Sequence, residues 1–489
     1  MLVAILAIPL VAAATAAFVR RERIMEAATV LGSAVVFALS LAVAAGVAVH
    51  RGVSAMGMWL YADAVSAIAL GVIAFVALTA AVYSVGYMRT NVSEIRGSGE
   101  RTRELSRYYA LFNLFVFSML VVPLSNSLGI LWVAIEGTTL ASLFLVAYYR
   151  TAEALEAAWK YVIVGSVGIA LALFGTILTY YAAVQVLGTS YDLTWSQLAP
   201  VGGRLDVGVM RLAFVFIIIG YGTKAGLAPM HTWLPDAHSE APNPVSALLS
   251  GVLLNTAMYA ILRYLALAGV ALGASFERGL LLGFGLLSLT IATAFIWKQT
   301  NLKRLLAYSS IEHMGIVLIG IAFGGVLGVS GALLQMISHA LTKSTMFFAS
   351  GRLALAYGTK DVDRITGALR ATPVTAIILL IGTFSLIGSP PFGIFTSELT
   401  IFTAGFRGGA SWASVAMLAL VALVFVRFLL PVTSMVFGTP LRSMLPHARD
   451  RGAVAAMTLS LAIVLLLGFC VPSPLRGLLE QSTHILGAG

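Results

Sequence analysis

The sequence predicts an all-α polytopic membrane protein with about fourteen transmembrane helices. Of its 489 residues, 60% are hydrophobic and 10% are charged, whereas a soluble domain carries roughly 25% charged residues. The mean hydropathy is +0.97. Apolar runs of about 20 residues, long enough to cross a bilayer as a helix, recur along the chain. They are continuous rather than alternating, which argues against a β-barrel.

The predicted spans follow directly from the apolar runs. They cover roughly 2–19, 27–49, 59–87, 108–123, 126–149, 158–184, 208–234, 244–268, 279–297, 304–325, 329–356, 373–406, 411–437 and 452–472. The first run is interpreted as a retained helix, because its basic residues follow it and a signal peptide carries them in front. The longest polar stretch, Arg89 to Arg107, is predicted to be a loop between the third and fourth spans.

The distribution of lysine and arginine predicts the orientation. Twenty of the thirty basic residues lie in or beside the segments that follow odd-numbered spans, among them Arg20, Arg96, Arg442 and Arg449. Because Lys and Arg collect in cytoplasmic loops, these segments are predicted to be cytoplasmic and both termini outside. We therefore expect a multi-pass protein of the cell inner (plasma) membrane.

Spans seven and twelve are predicted to be broken helices. Span seven contains Pro229 and is followed at once by Pro235, and span twelve contains Pro390 and Pro391. Proline removes a helix donor and clashes with the preceding turn, and irregular backbone at membrane depth survives only where it is buried or lines a cavity. Broken helices in corresponding places indicate a transporter core built from inverted repeats.

The spacing of ionisable residues supports two repeats of five helices each. Lys224 and Glu398, on the two broken spans, are 174 residues apart, and Glu136 and Glu312, two spans earlier in each case, are 176 apart. The repeats are predicted to comprise spans 4–8 and 9–13. The chain is predicted to form a single transmembrane domain, 1–489, with four parts. These are three N-terminal helices with a loop (1–107), the first repeat (108–268), the second repeat (279–437) and a C-terminal helix (438–489).

The ionisable residues inside the spans are the candidate functional groups. A charge at the bilayer centre costs about 2.5–3.5 kcal/mol on insertion scales, so each should have a partner and face protein or water. The candidate proton-relay residues are Glu136, Lys224, Glu312, His339, Lys343 and Glu398. A lysine held between desolvation and a nearby carboxylate can load and release a proton. The alternative is structural: ion pairs that fix helix packing, hydrogen-bonded core histidines, and charges that complement helix dipoles.

A second group of polar residues is predicted to line a water path, namely His231, His238, Asn255 and His313. His231, Asp236, His238 and Glu240 match no standard zinc spacing, so we expect no metal site. The sequence contains no P-loop, dinucleotide, haem or flavin motif, and Cys470 is its single cysteine. We therefore expect no cofactor and no catalysis within this chain.

Several motifs together resemble the antiporter-like subunits of respiratory complex I and its relatives. They are Glu136 in span five, Lys224 with PMHTWLPDAHSEAP, and the runs SSIEHMG, HALTKS and PPFGIFTSE. The motif SSIEHMG and the compact length of the chain most resemble component F of hydrogenase-4. The resemblance implies fourteen helices with two inverted repeats and a Glu/Lys/His proton path near the midplane. It implies that Glu136 and Lys224 are the coupled pair and Glu398 the terminal residue.

The chain departs from that pattern at Asn255, where relatives often carry a Lys or His. An amide has no titratable proton at neutral pH, so the central link must depend on water, on His339 and Lys343, or on Glu312. We expect a proton-translocating subunit of a redox complex, with other membrane subunits and the lipid bilayer as partners and no nucleic acid. The alternatives are a multisubunit cation/proton antiporter and an inorganic carbon uptake complex.

Overall fold

The computed structural model describes residues 1–93, 97–439 and 450–488. Its helices are α1 Leu2–Phe18, α2 Glu22–His50, α3 Ala64–Asn91, α4 Ser98–Leu124, α5 Leu128–Val146, α6 Ala152–Leu187, α7 Trp195–Leu198, α8 Val207–Ala225, α9 Trp233–Glu240, α10 Asn243–Leu248, α11 Leu254–Leu272, α12 Ala274–Ile296, α13 Leu302–Phe323, α14 Gly325–Tyr357, α15 Ala368–Ala371, α16 Pro373–Leu386, α17 Gly393–Arg407, α18 Ser411–Phe437, α19 Arg451–Phe469 and α20 Ser473–Ile485. Short 3-10 turns cover Ala199–Arg204, Met230–Thr232 and Val362–Arg364. Strands β1, Val53–Ala55, and β2, Leu60–Ala62, form an antiparallel hairpin.

The predicted all-α polytopic architecture is confirmed. Within the described residues, twelve helical segments are long and apolar enough to cross a membrane, and α1 and α16 are shorter apolar helices. An apolar stretch of 18 residues within each of Asn243–Leu272 and Leu302–Phe323 is wholly buried, whereas only 28% of the corresponding stretch of α2 and 22% of that of α18 is buried. The core is therefore made by the spans that carry ionisable residues. Arg96, Arg442 and Arg449, which contributed to the predicted orientation, lie outside the described residues.

Three boundaries differ from the prediction. Helix α4 begins at Ser98, so the predicted loop is wrong for residues 98–107. The apolar pattern detects only the part of a helix inside the bilayer, and here Arg101 extends the helix by pairing with Glu22 at 2.9 Å. Span three begins at Ala64 because the β-hairpin precedes it. Helix α20 was not predicted, because only one of its faces is apolar and it contains no continuous apolar run.

Both predicted helix breaks are present. Helix α8 ends at Ala225 and α9 starts at Trp233, while α16 ends at Leu386 and α17 starts at Gly393. Each break has a glycine in the left-handed region, Gly226 at φ +77° and Gly388 at φ +67°, where a residue with a Cβ is strained. The shared form supports the two repeats, whose limits remain a prediction.

Helix α19 packs directly on the second break. A Cβ added at Gly468 would lie 1.7 Å from the carbonyl oxygen of Pro391. No side chain fits in that space, so glycine allows the two backbones to touch. The last span therefore shapes the break that precedes Glu398, although it lies outside both predicted repeats.

Span eight contains a π-helical segment, Leu249–Leu253, between α10 and α11. Gly251 within it meets α14, because a Cβ there would lie 2.9 Å from the Ala340 carbonyl oxygen. Such π-bulges are rare and often occur at functional sites. The bulge brings span eight against the helix that carries His339 and Lys343.

An ion pair that the sequence did not reveal joins α3 to α11. The Arg263 guanidinium donates to both carboxylate oxygens of Asp63, at 2.6 and 2.7 Å, and both side chains are buried. Arg263 also lies over the Trp195 ring at 4.4 Å. Planar two-point contact of this kind is geometrically specific. It fixes the start of α3, in the N-terminal unit, to span eight.

Candidate functional site

Glu136 and Lys224 are linked through a hydroxyl group. The Lys224 Nζ donates to Thr139 Oγ1 at 2.7 Å, and Thr139 Oγ1 donates to Glu136 Oε2 at 3.2 Å. Ser166 donates to the other oxygen of Glu136 at 3.0 Å. Among the described ion pairs there is no direct contact between the two charged groups. The threonine can accept from the ammonium and donate to the carboxylate at once, which makes a one-residue bridge for a proton.

Lys224 is fully buried at the carbonyl end of α8. Its Nζ donates a second hydrogen bond to the Tyr161 hydroxyl at 2.6 Å and lies 4.6 Å from the centre of that ring. Trp233, the first residue of α9, packs at a tilt against Tyr161, with 4.8 Å between ring centres, and donates to the Thr223 carbonyl oxygen at 2.8 Å. Ring faces attract cations. The first break thus places an aromatic wall against the ammonium group.

Glu136 differs from Lys224 in being only half-buried. It lies at the middle of α5, whose residues Val133 and Leu140 are 58% and 53% exposed. A carboxylate at membrane depth is costly when it faces lipid. The exposed side of α5 is therefore a surface that a neighbouring protein would be expected to cover.

The middle of the molecule contains a second buried lysine, Lys343 of α14. Its Nζ donates to the Leu306 carbonyl and to the Ser309 hydroxyl, both on α13. Glu312 lies one turn beyond Ser309 on the same helix and is 4% exposed. Lys343 and Glu312 are within electrostatic range of each other. Two of the candidate relay residues, Lys343 and Glu312, thus lie near each other across α13 and α14.

Three histidines gather around this lysine. The rings of His313 and His339 are 5.2 Å apart, and His238 stacks on Phe347 at 5.4 Å. Both ring nitrogens of His238 and His339, and Nε2 of His313, are buried without a hydrogen-bond partner from the described residues. An unsatisfied buried polar group costs about 1–3 kcal/mol. Such groups are normally satisfied by ordered water.

Gln335 connects the histidines to the terminal carboxylate. Its amide nitrogen lies 2.8 Å from His313 Nδ1, and its oxygen accepts from the Ser397 hydroxyl. Glu398, which directly follows Ser397 in α17, faces the same Gln335 amide. Its carboxylate folds back over the second break. A Cβ added at Gly388 would lie 2.3 Å from Glu398 Oε2. Gln335 was missed because a glutamine carries no charge; its one signal is a polar side chain one turn before His339.

The remaining predicted path residues are separated. His231 lies edge-on beside the stacked rings of Phe295 and Tyr308, 6.3 Å from each ring centre. Asn255 donates from Nδ2 to the carbonyl oxygens of Gly251 and Met336, both at 3.0 Å. Its Oδ1 has no hydrogen-bond partner among the described residues, and Asn255 lines a small, nearly apolar cavity of about 20 Å³. Water needs two to four polar partners to be held in such a space.

Lys303 falls in the loop between the predicted spans 279–297 and 304–325, but in the structure it belongs to α13 and is 2% exposed. Its Nζ donates to the Ala241 carbonyl oxygen. It lines an open cavity of about 430 Å³ together with Glu240 and Lys360, which pair at 3.4 Å. This polar opening lies on the side of the odd-numbered loops. A second opening, of about 420 Å³, lies between α14, α17, α19 and α20 on the opposite side.

The acidic residues after the first break are engaged in ion pairs. Asp236 accepts from Arg304 at 2.6 Å and from Lys160 at 3.1 Å. Within residues 1–93, 97–439 and 450–488, no group of three His, Cys, Asp or Glu side chains is placed to hold a metal ion. Asp236 therefore fixes α9 to its neighbours.

Comparison with known proteins gives consistent matches. Residues 125–425 match the family model described as NADH:quinone oxidoreductase/Mrp antiporter, TM, and residues 52–95 match NADH-Ubiquinone oxidoreductase (complex I), chain 5 N-terminus. A hydrogenase-4 component F homolog of Methylacidiphilum infernorum is 41% identical over 333 residues, 68% of this chain and 69% of the relative.

Solved structures of similar fold come from respiratory membrane complexes. A chain of the archaeal membrane-bound sulfane sulfur reductase has a TM-score of 0.85 at 23% identity, covering 99% of this chain and 98% of the other. A chain of respiratory complex I from Thermus thermophilus has a TM-score of 0.76 at 26% identity, covering 96% and 98%. Both are subunits of multisubunit membrane assemblies.

Proposed function

Because this chain belongs to the NADH:quinone oxidoreductase/Mrp antiporter family, we propose that it conducts protons as a membrane subunit of a hydrogenase-4-like or complex I-like redox complex. The family resemblance predicted from the motifs is confirmed. The observation that carries the proposal is the Thr139 bridge, which joins a buried ammonium to a carboxylate by two hydrogen bonds. A purely structural pair would gain more from direct contact.

The first step takes place at this bridge. An ammonium buried in protein depends on a nearby negative charge, since an unpaired charge there is strongly unfavourable. When a conformational change in a partner subunit moves or neutralises Glu136, Lys224 loses that support and releases its proton. Return of the Glu136 charge allows Lys224 to load again.

The second step crosses the histidine cluster. The unpartnered nitrogens of His238, His313 and His339 supply sites for a chain of water molecules beside Lys343. Protons move readily along such chains, and histidine can both accept and donate. Asn255 stands outside this line, because its amide nitrogen is held by two carbonyl groups and the residue lines a nearly apolar cavity. The missing ionisable group at that position is thereby bypassed.

The third step ends at Glu398. Gln335 has no proton to give at neutral pH, so its role is to orient His313 and α17 by one hydrogen bond to each. The proton reaches Glu398 from the water around the imidazoles. Gly388 provides the space that lets the carboxylate fold over the break.

The direction of transfer follows from the proposed orientation. With the odd-numbered loops in the cytoplasm of a cell whose inner (plasma) membrane holds the complex, the opening beside Lys303, Lys360 and Glu240 faces the proton source. The half-buried Glu136 supports a partner subunit against α5, which would relieve the cost of a charge facing lipid.

Transport by the purified complex tests this function. The native complex and a Lys224→Ala variant are reconstituted into vesicles, and acidification is measured per redox turnover with a pH-sensitive dye. We expect Lys224→Ala to lose translocation while partner subunits still co-purify. Lys298→Ala, which removes an exposed lysine just after α12, is the matched control. Normal translocation by Lys224→Ala would overturn the scheme.

A second function, cation/proton antiport without redox chemistry, is favoured by the family description, which includes the Mrp antiporter. It predicts that a sodium gradient alone drives proton movement in the same vesicles. Proton movement that requires redox turnover and ignores sodium excludes it.

A further inference from the structure

Helix α20 forms one wall of the second opening. The cavity of about 420 Å³ is lined on one side by Ser330 of α14 and by Thr396 and Thr400 of α17. On the other side it is lined by Arg476 and Glu480 of α20, both exposed to the surface. The cavity therefore has hydroxyl groups along one wall and a pair of opposite charges at its mouth.

The inner end of this cavity lies next to residues that pack against the neighbours of Glu398. Its lining includes Gly331 and Leu334, which come just before Gln335 on α14. A Cβ added at Gly331 would lie 3.2 Å from the Ser397 carbonyl oxygen, the residue before Glu398. Ser397 also donates to Gln335. The packing of α14 against α17 thus separates the cavity from the surroundings of Glu398.

The position of α20 is set by its apolar face. Leu478, Leu479, Ser482 and Thr483 are buried, and the helix packs on α3 and α14. The polar face is consequently held over the cavity. Arg476 and Glu480 are four residues apart and lie on that one face of the helix.

We propose that this cavity is the exit vestibule for protons from Glu398 and that Glu480 is the acceptor at its mouth. The inference rests on the proposed function. Protonated Glu398 gives its O–H proton to a water molecule in the vestibule and becomes a carboxylate. At the other end of the water chain the Glu480 carboxylate accepts a proton and then releases it to bulk water.

The first test removes the acceptor. In the intact complex in vesicles, Glu480→Gln is expected to reduce the rate of proton release several-fold while electron transfer without a gradient and subunit composition stay normal. Asp206→Asn is the matched control, because it removes an exposed carboxylate on the same predicted side and asparagine keeps the α8 N-cap. Equal rates for Glu480→Gln and Asp206→Asn overturn the role of Glu480.

The second test uses Cys470, the single cysteine of the sequence, which is exposed and lines the vestibule. A cationic methanethiosulfonate reagent places a fixed positive charge where protons would leave. We expect it to slow proton release several-fold, a neutral reagent of similar size to act less, and Cys470→Ser to abolish the difference. Complete labelling of Cys470, shown by mass spectrometry, with unchanged proton release overturns the vestibule.

The proposed function and the proposed exit vestibule can be refuted independently of each other. If the untreated native complex moves no protons during turnover, the proposed function is wrong. If it moves protons but neither Glu480→Gln nor the charged reagent slows them, the function stands and the exit lies elsewhere.

Discussion

Replacing Thr139 by valine tests the bridge between Glu136 and Lys224 with almost no change of shape. The substitution removes one hydroxyl that accepts from Lys224 at 2.7 Å and donates to Glu136 at 3.2 Å. Hydrogen bonds to charged groups contribute about 1.5–3 kcal/mol each. Even at the lower end of this range, losing one such bond changes an equilibrium constant about tenfold, since about 1.4 kcal/mol corresponds to a factor of ten.

We therefore expect Thr139→Val to lower coupled proton translocation by about 10–100-fold, the range that one lost charge-assisted bond predicts. Thr138→Val is the matched control. It is the neighbouring buried threonine on α5, and its hydroxyl bonds only the Ile135 carbonyl of its own helix. Thr139→Ser, which restores the hydroxyl, should recover most of the rate.

The assay is acidification per redox turnover in vesicles that hold the intact complex. Turnover measured with an uncoupler shows whether the redox partners still work. If Thr139→Val and Thr138→Val translocate equally well, the hydroxyl is not part of the proton path and the reasoning is refuted.

Two further predictions concern the stability of the fold. Gly468→Ala should lower the thermal unfolding temperature and the yield of folded protein, because its Cβ would lie 1.7 Å from the Pro391 carbonyl oxygen and overpacking costs about 1–3 kcal/mol. Gly477→Ala is the control, because that glycine has open space around it. Equal unfolding temperatures for the two variants would contradict the packing argument. Asp63→Asn should destabilise by about 3–5 kcal/mol, the usual cost of breaking a buried pair, as measured by thermal unfolding in detergent. Burial raises the pKa of Asp63, but the Arg263 guanidinium and the hydrogen bonds from Ser66 outweigh it, so the pKa lies below its ordinary value. The contribution of Asp63 is then complete above the pKa of the unfolded chain and is lost as pH falls through the lower folded value, so acid should destabilise the native protein more than Asp63→Asn; parallel pH profiles would count against it.

Much of the fold follows from local sequence patterns. Continuous apolar runs locate the spans because each must satisfy its own backbone in lipid. Pro229 and Pro390 locate the breaks because proline cannot continue a helix. Helix α20 is different, since its single apolar face becomes meaningful only when α3 and α14 are in place.

The charged residues of the candidate site can be predicted from the sequence, whereas its uncharged polar residues cannot. Glu136 and Lys224 stand out because charge is rare at membrane depth. Thr139 and Gln335, which connect the charged groups, have no such signal, because uncharged polar residues are common in helix interfaces. Lys303 is assigned to a loop by the sequence because the apolar run of the next span begins just after it. Only the folded structure brings the Ala241 carbonyl oxygen to its ammonium group and so explains its burial.

The contact between Gly468 and Pro391 sets an order of events during biosynthesis. Gly468 follows Pro391 by 77 residues, which takes about 4–15 s to translate at roughly 5–20 residues per second. For that interval the second break is already in the membrane while the helix that closes over it does not yet exist. The insertion machinery must therefore shelter a kinked, carboxylate-bearing segment until α19 arrives, and a ribosome pause in this stretch would prolong that vulnerable state.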